Sequence, residues 1–388
     1  MKIRKASEVR AKLRMVVYGE QFSGKSTYAE FIAGLKRPDG TNFRVFYIDT
    51  ETGSIDNYTS KLANDGIDLE NIIVASTQSL AEVQDVIRTI TDNDDFEDDD
   101  GNVIMDGYGK PFRADAIVID SATILTLTSK QGFVEFSKKR AKVKADAAGL
   151  VGDARAVKVE GAGMELKDYG TLNFKGQSLI LDLNASGVNY IVICREKDEK
   201  RTKVVRENGQ DKVVSEPTGR KLPDGFSGQE YNVDTVIHLY RSNDDYKTVH
   251  AYFEKDRSGV HEAGDDIEDP TIFEYQELLD ATAKNKNIVV KNGLNDAVKT
   301  EVKLNMRDMG LYDSDIDKSP AENTSESKES SLDDIKAKLN DLIASASPVK
   351  KSAAQKAVKA AGLSTAFRSM TDIEELKKVA AVMEKELA

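Results

Sequence analysis

The sequence predicts an α/β fold: a mainly parallel sheet with helices on both faces, followed by a small C-terminal helical domain. Three observations predict it. A glycine-rich phosphate-loop pattern lies between an apolar run and a helical pattern. Short apolar runs then alternate with helical patterns through the first two thirds of the 388 residues, the arrangement of a parallel sheet covered by helices. Beyond residue 330 the periodicity is helical alone.

Residues 13–18 form the first apolar run, which ends at Gly19. Gly19-Glu20-Gln21-Phe22-Ser23-Gly24-Lys25-Ser26 then matches G-x-x-x-x-G-K-[ST], with Thr27 opening the helical pattern. The glycines allow a tight turn whose N–H groups face a phosphate, and the helix N-terminus adds partial positive charge. Lys25 reaches the terminal phosphates and Ser26 holds Mg²⁺ in this reading. No N-K-x-D guanine-reading motif occurs, which favours ATP over GTP.

Further strands are expected at 44–51, 71–77, 116–120, 188–194, 233–241 and 247–254. Ser79 with Glu82 suggests a capping box for a helix through Ile90. Residues 92–112 are acidic, Gly-rich and aperiodic, so they are expected to form an exposed hairpin-like insertion. Ligands of such sheets bind at the carboxyl ends of the strands, and two acids stand there. Asp120 closes an apolar strand and can hold Mg²⁺ directly or through water. Glu51 is the candidate base that orients a water beyond the γ-phosphate, with Asp49 as its competitor. Both point to one side of the strand, and Glu51 lies nearer the loop.

The bounds are simple. With 39% hydrophobic and 31% charged residues, the chain reads as soluble and globular, with no apolar run of membrane-spanning length. The basic N-terminus lacks the apolar core of a signal peptide. Cys194, the single cysteine, excludes an internal disulfide and a cysteine zinc cluster. A cytoplasmic location is expected. The net charge of −12 argues against wholesale nucleic-acid coating, but acids crowd into 92–100 and 312–334 and leave basic clusters elsewhere. His238, His250 and His261 show no metal-ligand spacing, and His238 reads as a satisfied core histidine.

Tyr47-Ile-Asp-Thr-Glu51 and Ile117-Val-Ile-Asp-Ser121 resemble the matching strands of RecA-type recombinases. Phe253-Glu-Lys-Asp-Arg-Ser-Gly259 resembles the K-x-R segment that RecA-like motors send into a neighbouring subunit's ATP site. The narrower resemblance is to phage-encoded RecA-like ATP-binding proteins of single-strand annealing recombination. Lys167-Asp-Tyr-Gly170 and 189–193 share in it, and it covers about residues 15–259 in segments. The resemblance implies a RecA-like P-loop ATPase, with Glu51 activating water, Asp120 serving Mg²⁺, and Lys255 and Arg257 acting in trans within a homo-oligomer, ring or filament. Where RecA-type enzymes carry a glutamine or other polar sensor, this chain has Arg195.

Two segments are candidates for single-stranded DNA. One is the run Lys138, Lys139, Arg140, Lys142 and Lys144; the other is a long basic loop, 195–221, with Arg195, Lys197, Lys200, Arg201 and Lys203. Such cations neutralise phosphates and release counterions, and the shortage of aromatics implies slight sequence preference. The core is expected over 1–312. Residues 313–330, nearly devoid of apolar side chains, read as a disordered linker. In 331–388, Leu332, Ile335, Leu339, Leu342 and Ile343 form one stripe; Ala357, Val358 and Ala361 a second, ended by Gly362; Ile373, Leu376, Val379, Ala380 and Met383 a third. Lys350, Lys351, Lys356 and Lys359 give this tail a basic side for DNA or a single-strand binding protein. The expected function is ATP hydrolysis in the binding and pairing of single-stranded DNA, for a phage in the host cytoplasm. A hexameric helicase motor and an ATP-clamped, non-hydrolysing scaffold are the alternatives.

Overall fold

A computed structural model describes residues 5, 8–56, 58–207, 210–308, 335–336, 339–340, 343, 348–361, 363–365, 370 and 373–387. The expected linker, 313–330, and Leu332, Leu342 and Gly362 lie outside the described residues. The chain divides into two compact units, 1–96 with 104–295, and 97–103 with 296–388.

In the first unit one sheet holds nine strands. They are β1 (Arg14–Gly19), β2 (Val45–Asp49), β3 (Ile72–Ser76), β4 (Ala116–Asp120), β5 (Asn189–Glu207), β6 (Gln210–Asp224), β7 (Thr235–Arg241), β8 (Val249–Asp256) and β9 (Asp266–Glu268). Their order is β3-β2-β4-β5-β1-β7-β8-β9. Pairing is parallel from β3 to β7, and β8 and β9 add antiparallel strands at the edge. This is the mainly parallel α/β sheet, covered by helices on both faces, that the sequence led us to expect.

The central strands are continuous apolar runs because both faces are covered. Successive side chains alternate between two cores. Met15, Val17, Val45, Tyr47, Val118 and Ile191 enter one; Val16, Tyr18, Phe46, Ile48, Ile119 and Val192 enter the other. Helix α1 (Lys25–Glu30), its 3-10 extension Phe31–Gly34, and α2 (Thr59–Asn64) cover the first core. Helices α3 (Leu80–Asp92), α4 (Ala122–Ala147) and α6 (Leu166–Ser186) cover the second, with α5 (Gly152–Glu160) between the last two in sequence. After β9 come a 3-10 turn, Ile272–Tyr275, and the short α7 (Gln276–Ala281). Helix α8 spans Leu294–Asp308.

Three expectations need correction. The basic segment 195–221 is not a loop. Strand β5 runs on to Glu207 and returns as β6, so the segment is a two-stranded antiparallel arm, with Arg195 opposite Asp224 and Glu207 opposite Gln210. The 92–112 insertion does contain hairpin bridges, Glu97 with Val103 and Met105 with Pro111, but it is not wholly exposed. Phe96 and Phe112 pack on Phe46, and buried Asp106 accepts bonds from Tyr108 N, Lys110 N and Arg44 Nη1. The capping box is half formed: Ser79 Oγ accepts from Glu82 N, whereas the Glu82 carboxylate takes the Thr77 hydroxyl.

In the second unit, α9 (Pro348–Ala360) and α10 (Ile373–Leu387) share a core with Leu339. Ala354, Val358, Leu376, Val379 and Met383 supply most of it, and Ile335 and Ile343 pack against it. Lys356 and Lys359 are exposed on α9.

Candidate active site

The phosphate loop joins β1 to α1. A Cβ on Gly19 would stand 1.8 Å from the Leu239 carbonyl oxygen, so the strand can leave the sheet only through glycine. Gly24 precedes α1 with φ 85°, in the left-handed region that glycine adopts without strain. Arg241 of β7 pins the loop from the side: its Nε donates to Phe22 O at 2.7 Å and its backbone N to Glu20 Oε1 at 3.2 Å. The Lys25 amine donates to Glu20 O and, at 3.4 Å, to Ser23 Oγ. Burial lowers its pKa, against the pull of Asp120, Glu196 and Glu51.

Ser26 and Asp120, far apart in sequence, meet at this loop. Ser26 Oγ donates to Asp120 Oδ2 at 2.7 Å, and the buried Tyr47 hydroxyl donates to the same oxygen at 2.7 Å. Asp120 is 3% exposed. Burial raises its pKa, and the negative charges of Glu51 and Asp49 add to the shift. Buried negative charge beside a hydroxyl is what a divalent cation with oxygen ligands offsets. The residues present therefore fit Mg²⁺, and Ser26 and Asp120 are the two that could hold it.

Asp49 and Glu51 separate clearly. Asp49 is buried and spent on backbone, accepting from the N–H groups of Glu51 at 3.0 Å, Ser54 at 3.1 Å and Gly53. It is Asp49 that caps the turn. That leaves the Glu51 carboxylate free to face the cleft, where its Oε1 accepts from Ser121 Oγ and from Arg195 Nη2, each at 3.0 Å. The ends of β2 and β4 are fastened together by Thr50, whose hydroxyl accepts from Ser121 N at 2.7 Å and donates to Ser121 O at 3.0 Å.

A cleft of about 400 Å³ collects Lys25, Ser26, Glu51, Tyr58, Asp120, Ser121 and Arg195 around the loop residues Gly19–Thr27. A second cleft, of about 370 Å³, shares Gly24 and Thr27 with it and is walled by Tyr28, Phe31, Val249 and Phe273. The two together offer polar space for phosphates beside apolar space for a base. Sequence reasoning missed Tyr47, Tyr58, Ser121 and Arg241.

The other expected residues lie elsewhere. Lys255 and Arg257 do not line this cleft. The Lys255 amine donates to the carbonyls of Glu230, Tyr231 and Val233, closing the end of a 3-10 turn of its own chain. Arg257 is exposed. On α4, Arg140 is bound to Asp168 at 3.0 Å and Lys138 to Glu160 at 2.9 Å, leaving Lys139 as the exposed cation of the three. In the arm, Lys197 pairs with Asp224, Lys203 with Glu216 and Lys221 with Glu196. Lys200 and Arg201 are exposed. His238 is half-buried and bonded to Glu196 at 2.9 Å. Cys194 is buried, which pushes its thiol up to about 12, and it is inert. Among the described residues no group of three or more His, Cys, Asp and Glu is placed to hold a metal ion by itself, and no helix is long and apolar enough to cross a membrane.

No protein-family profile and no curated protein matches the chain. Solved structures similar to it include a RadB recombinase, 13% identical over 67% of this chain and 87% of its own, with a TM-score of 0.35. A KaiC-like protein from the hyperthermophilic archaeon Pyrococcus horikoshii is 14% identical over 68% of this chain and 84% of its own, with a TM-score of 0.33. Likeness at that level carries nothing about function; the fold stands on the strand order and on the loop between β1 and α1.

Proposed function

We propose that this chain binds ATP with Mg²⁺ at the β1–α1 loop, hydrolyses it, and couples that reaction to single-stranded DNA in recombination. One observation carries the reading. Arg195, where the arm leaves the sheet, shares Glu51 Oε1 with Ser121, so the arm and the candidate base are in direct contact.

The loop N–H groups and Lys25 bind the β- and γ-phosphates and fix the phosphorus for in-line attack. Ser26 and Asp120 hold the Mg²⁺, which supplies charge neutralisation at the phosphate oxygens. Glu51 orients the attacking water and accepts its proton, and Ser121 keeps that carboxylate aimed at the cleft. Arg195 holds Glu51 until the arm moves. Lys200, Arg201 and Lys139 are exposed cations that can meet DNA phosphates. Arg257, exposed and remote from its own cleft, suits service to a neighbouring copy in a homo-oligomer. The motif resemblance supports a phage annealing protein, with the tail as a docking module for a single-strand binding protein.

A second reading, an ATP-clamped scaffold that does not turn over, is favoured by the double engagement of Glu51. ATP turnover with and without single-stranded DNA separates the two, with Lys25→Ala as the blank. DNA stimulation that fades at high salt supports the first reading. Turnover indifferent to DNA removes the coupling, and no turnover in either condition favours the clamp.

A further inference from the structure

The parallel strands have a second end, and it also carries a cleft. Where β1 and β5 begin, about 310 Å³ is enclosed between the segment before β1, the turn after α1 and the end of α7. Arg10, Lys12, Lys36 and Arg37 line it, with Phe43 and Leu279 among its apolar walls.

The carboxylates in this cleft are already committed. Asp115 accepts from Arg44 N at 3.1 Å and Arg44 Nε at 3.0 Å, and faces Arg37 Nε at 3.6 Å. Asp39 accepts from Thr41 N at 3.1 Å and pairs with Arg37, and Asp280 accepts from Gln276 Nε2 at 2.9 Å. The Lys36 amine is spent on Asn42.

Two cations remain under-used. Arg10 gives Nη2 to the Ala283 carbonyl, yet its Nε is buried without a partner among the described residues. Lys12 is half-buried and makes no hydrogen bond or ion pair among the described residues. Burial and the neighbouring charges of Arg10 and Arg14 push its ammonium down to about 8, against the pull of Asp115. Like charges held together in a half-closed cleft, with donors unspent, disfavour one another unless an anion joins them. A guanidinium beside an ammonium presents the donors that phosphate oxygens accept. The apolar walls can seat a small organic remainder.

We propose that this cleft is a second anion site, separate from the phosphate loop, that takes a small phosphate-bearing molecule up to the size of a nucleoside monophosphate. Lys12 and Arg10 bind the phosphoryl oxygens, and Phe43 and Leu279 flank the remainder. Because the bound anion favours charged Lys12, binding takes up a proton near pH 8 and weakens as pH rises through the free Lys12 pKa.

The test is calorimetric titration of the full-length Lys25→Ala protein with inorganic phosphate and with AMP, at low ionic strength. Saturable binding is expected, with proton uptake near pH 8 and affinity about tenfold or more lower with Lys12→Gln added, the loss of one charge-assisted contact. Lys12→Arg should keep the affinity. Equal affinities for the two probes would mark the phosphoryl group alone as the ligand; tighter AMP binding would add its nucleoside. In a protein that keeps Lys25, Lys12→Gln should still bind ATP and melt as wild type does, which shows that it folds. Sulfate, whose charge is constant over this range, should show the same weakening with pH. Absence of saturation by either probe, or binding that Lys12→Gln leaves unchanged, overturns the proposal without touching the ATP-site reading.

Discussion

Arg195 Nη2 lies 3.0 Å from Glu51 Oε1, so the residue at the root of the β5–β6 arm holds the carboxylate just past the end of β2. The two side chains are 57% and 36% exposed, and a pair that exposed stabilises the fold by about 1 kcal/mol or less. Its consequence is positional. Arg195→Ala should leave the melting temperature almost unchanged and abolish stimulation of turnover by single-stranded DNA. Turnover assays with and without DNA check this, and full stimulation in the variant would remove Arg195 as the link.

Tyr47 gives a test of the Mg²⁺ assignment that leaves both proposed holders in place. Its hydroxyl donates to Asp120 Oδ2 from within the core. Tyr47→Phe keeps the ring and deletes one hydrogen bond to a carboxylate, worth about 1.5–3 kcal/mol. The Mg²⁺ concentration for half-maximal turnover should shift several-fold, while metal-free nucleotide binding stays as it was. A Mg²⁺ titration of turnover reads the shift. An unaltered midpoint in a well-folded variant would count against Asp120 as a metal holder.

Glu30 predicts how stability varies with pH. It is 2% exposed, and neither carboxyl oxygen has a hydrogen-bond partner among the described residues. Burial, with the nearby charge of Asp120, raises its pKa from 4.5 to about 8, against Lys61. A carboxyl whose folded pKa is raised costs nothing while protonated in both states, below about pH 4.5. Between that pH and about 8 the unfolded chain ionises while the folded one does not, so this group's contribution falls as pH rises. Glu30→Gln removes the slope. Against wild type it should gain on the order of a few kcal/mol between pH 5 and pH 9. Denaturant unfolding at the two pH values measures the difference, and parallel profiles would show that Glu30 titrates normally.

How much of this site was legible depends on chain distance. The phosphate loop is contiguous, so its glycines, Lys25 and Ser26 could be read directly. Glu51 and Asp120 could be placed because an apolar run that ends in an acid also ends at one edge of a parallel sheet. Tyr47 and Ser121 could not, since their roles come from contacts made across 73 and 70 residues. Arg140 looked like part of a basic run because its partner, Asp168, lies on a different helix. The arm was misread as a loop for another reason. Its strands are charged on both faces, which hides the period of two. Yet Asn208-Gly209 stands between Val204-Val205 and Val213-Val214, the local signature of a two-residue hairpin.

Lys255 and Arg257, paired by sequence, part company in three dimensions, and that yields the last prediction. Lys255 is tied to backbone carbonyls of its own chain, so Lys255→Ala should lower the melting temperature whether or not copies associate. Arg257 is exposed and, among the described residues, only its backbone N is bonded, to Asp234 O at 3.0 Å, so Arg257→Ala should fold and melt as wild type does. If a neighbour's Arg257 completes the cleft, Arg257→Ala and Glu51→Gln are each inactive for different reasons. Mixed in equal amounts they should regain turnover, at roughly a quarter of the sites for random head-to-tail association. Such a site takes Glu51 from one copy and Arg257 from the next. Turnover of the mixture against each variant alone is the measurement. No recovery, with mixed oligomers shown to form, would place Arg257 outside the site.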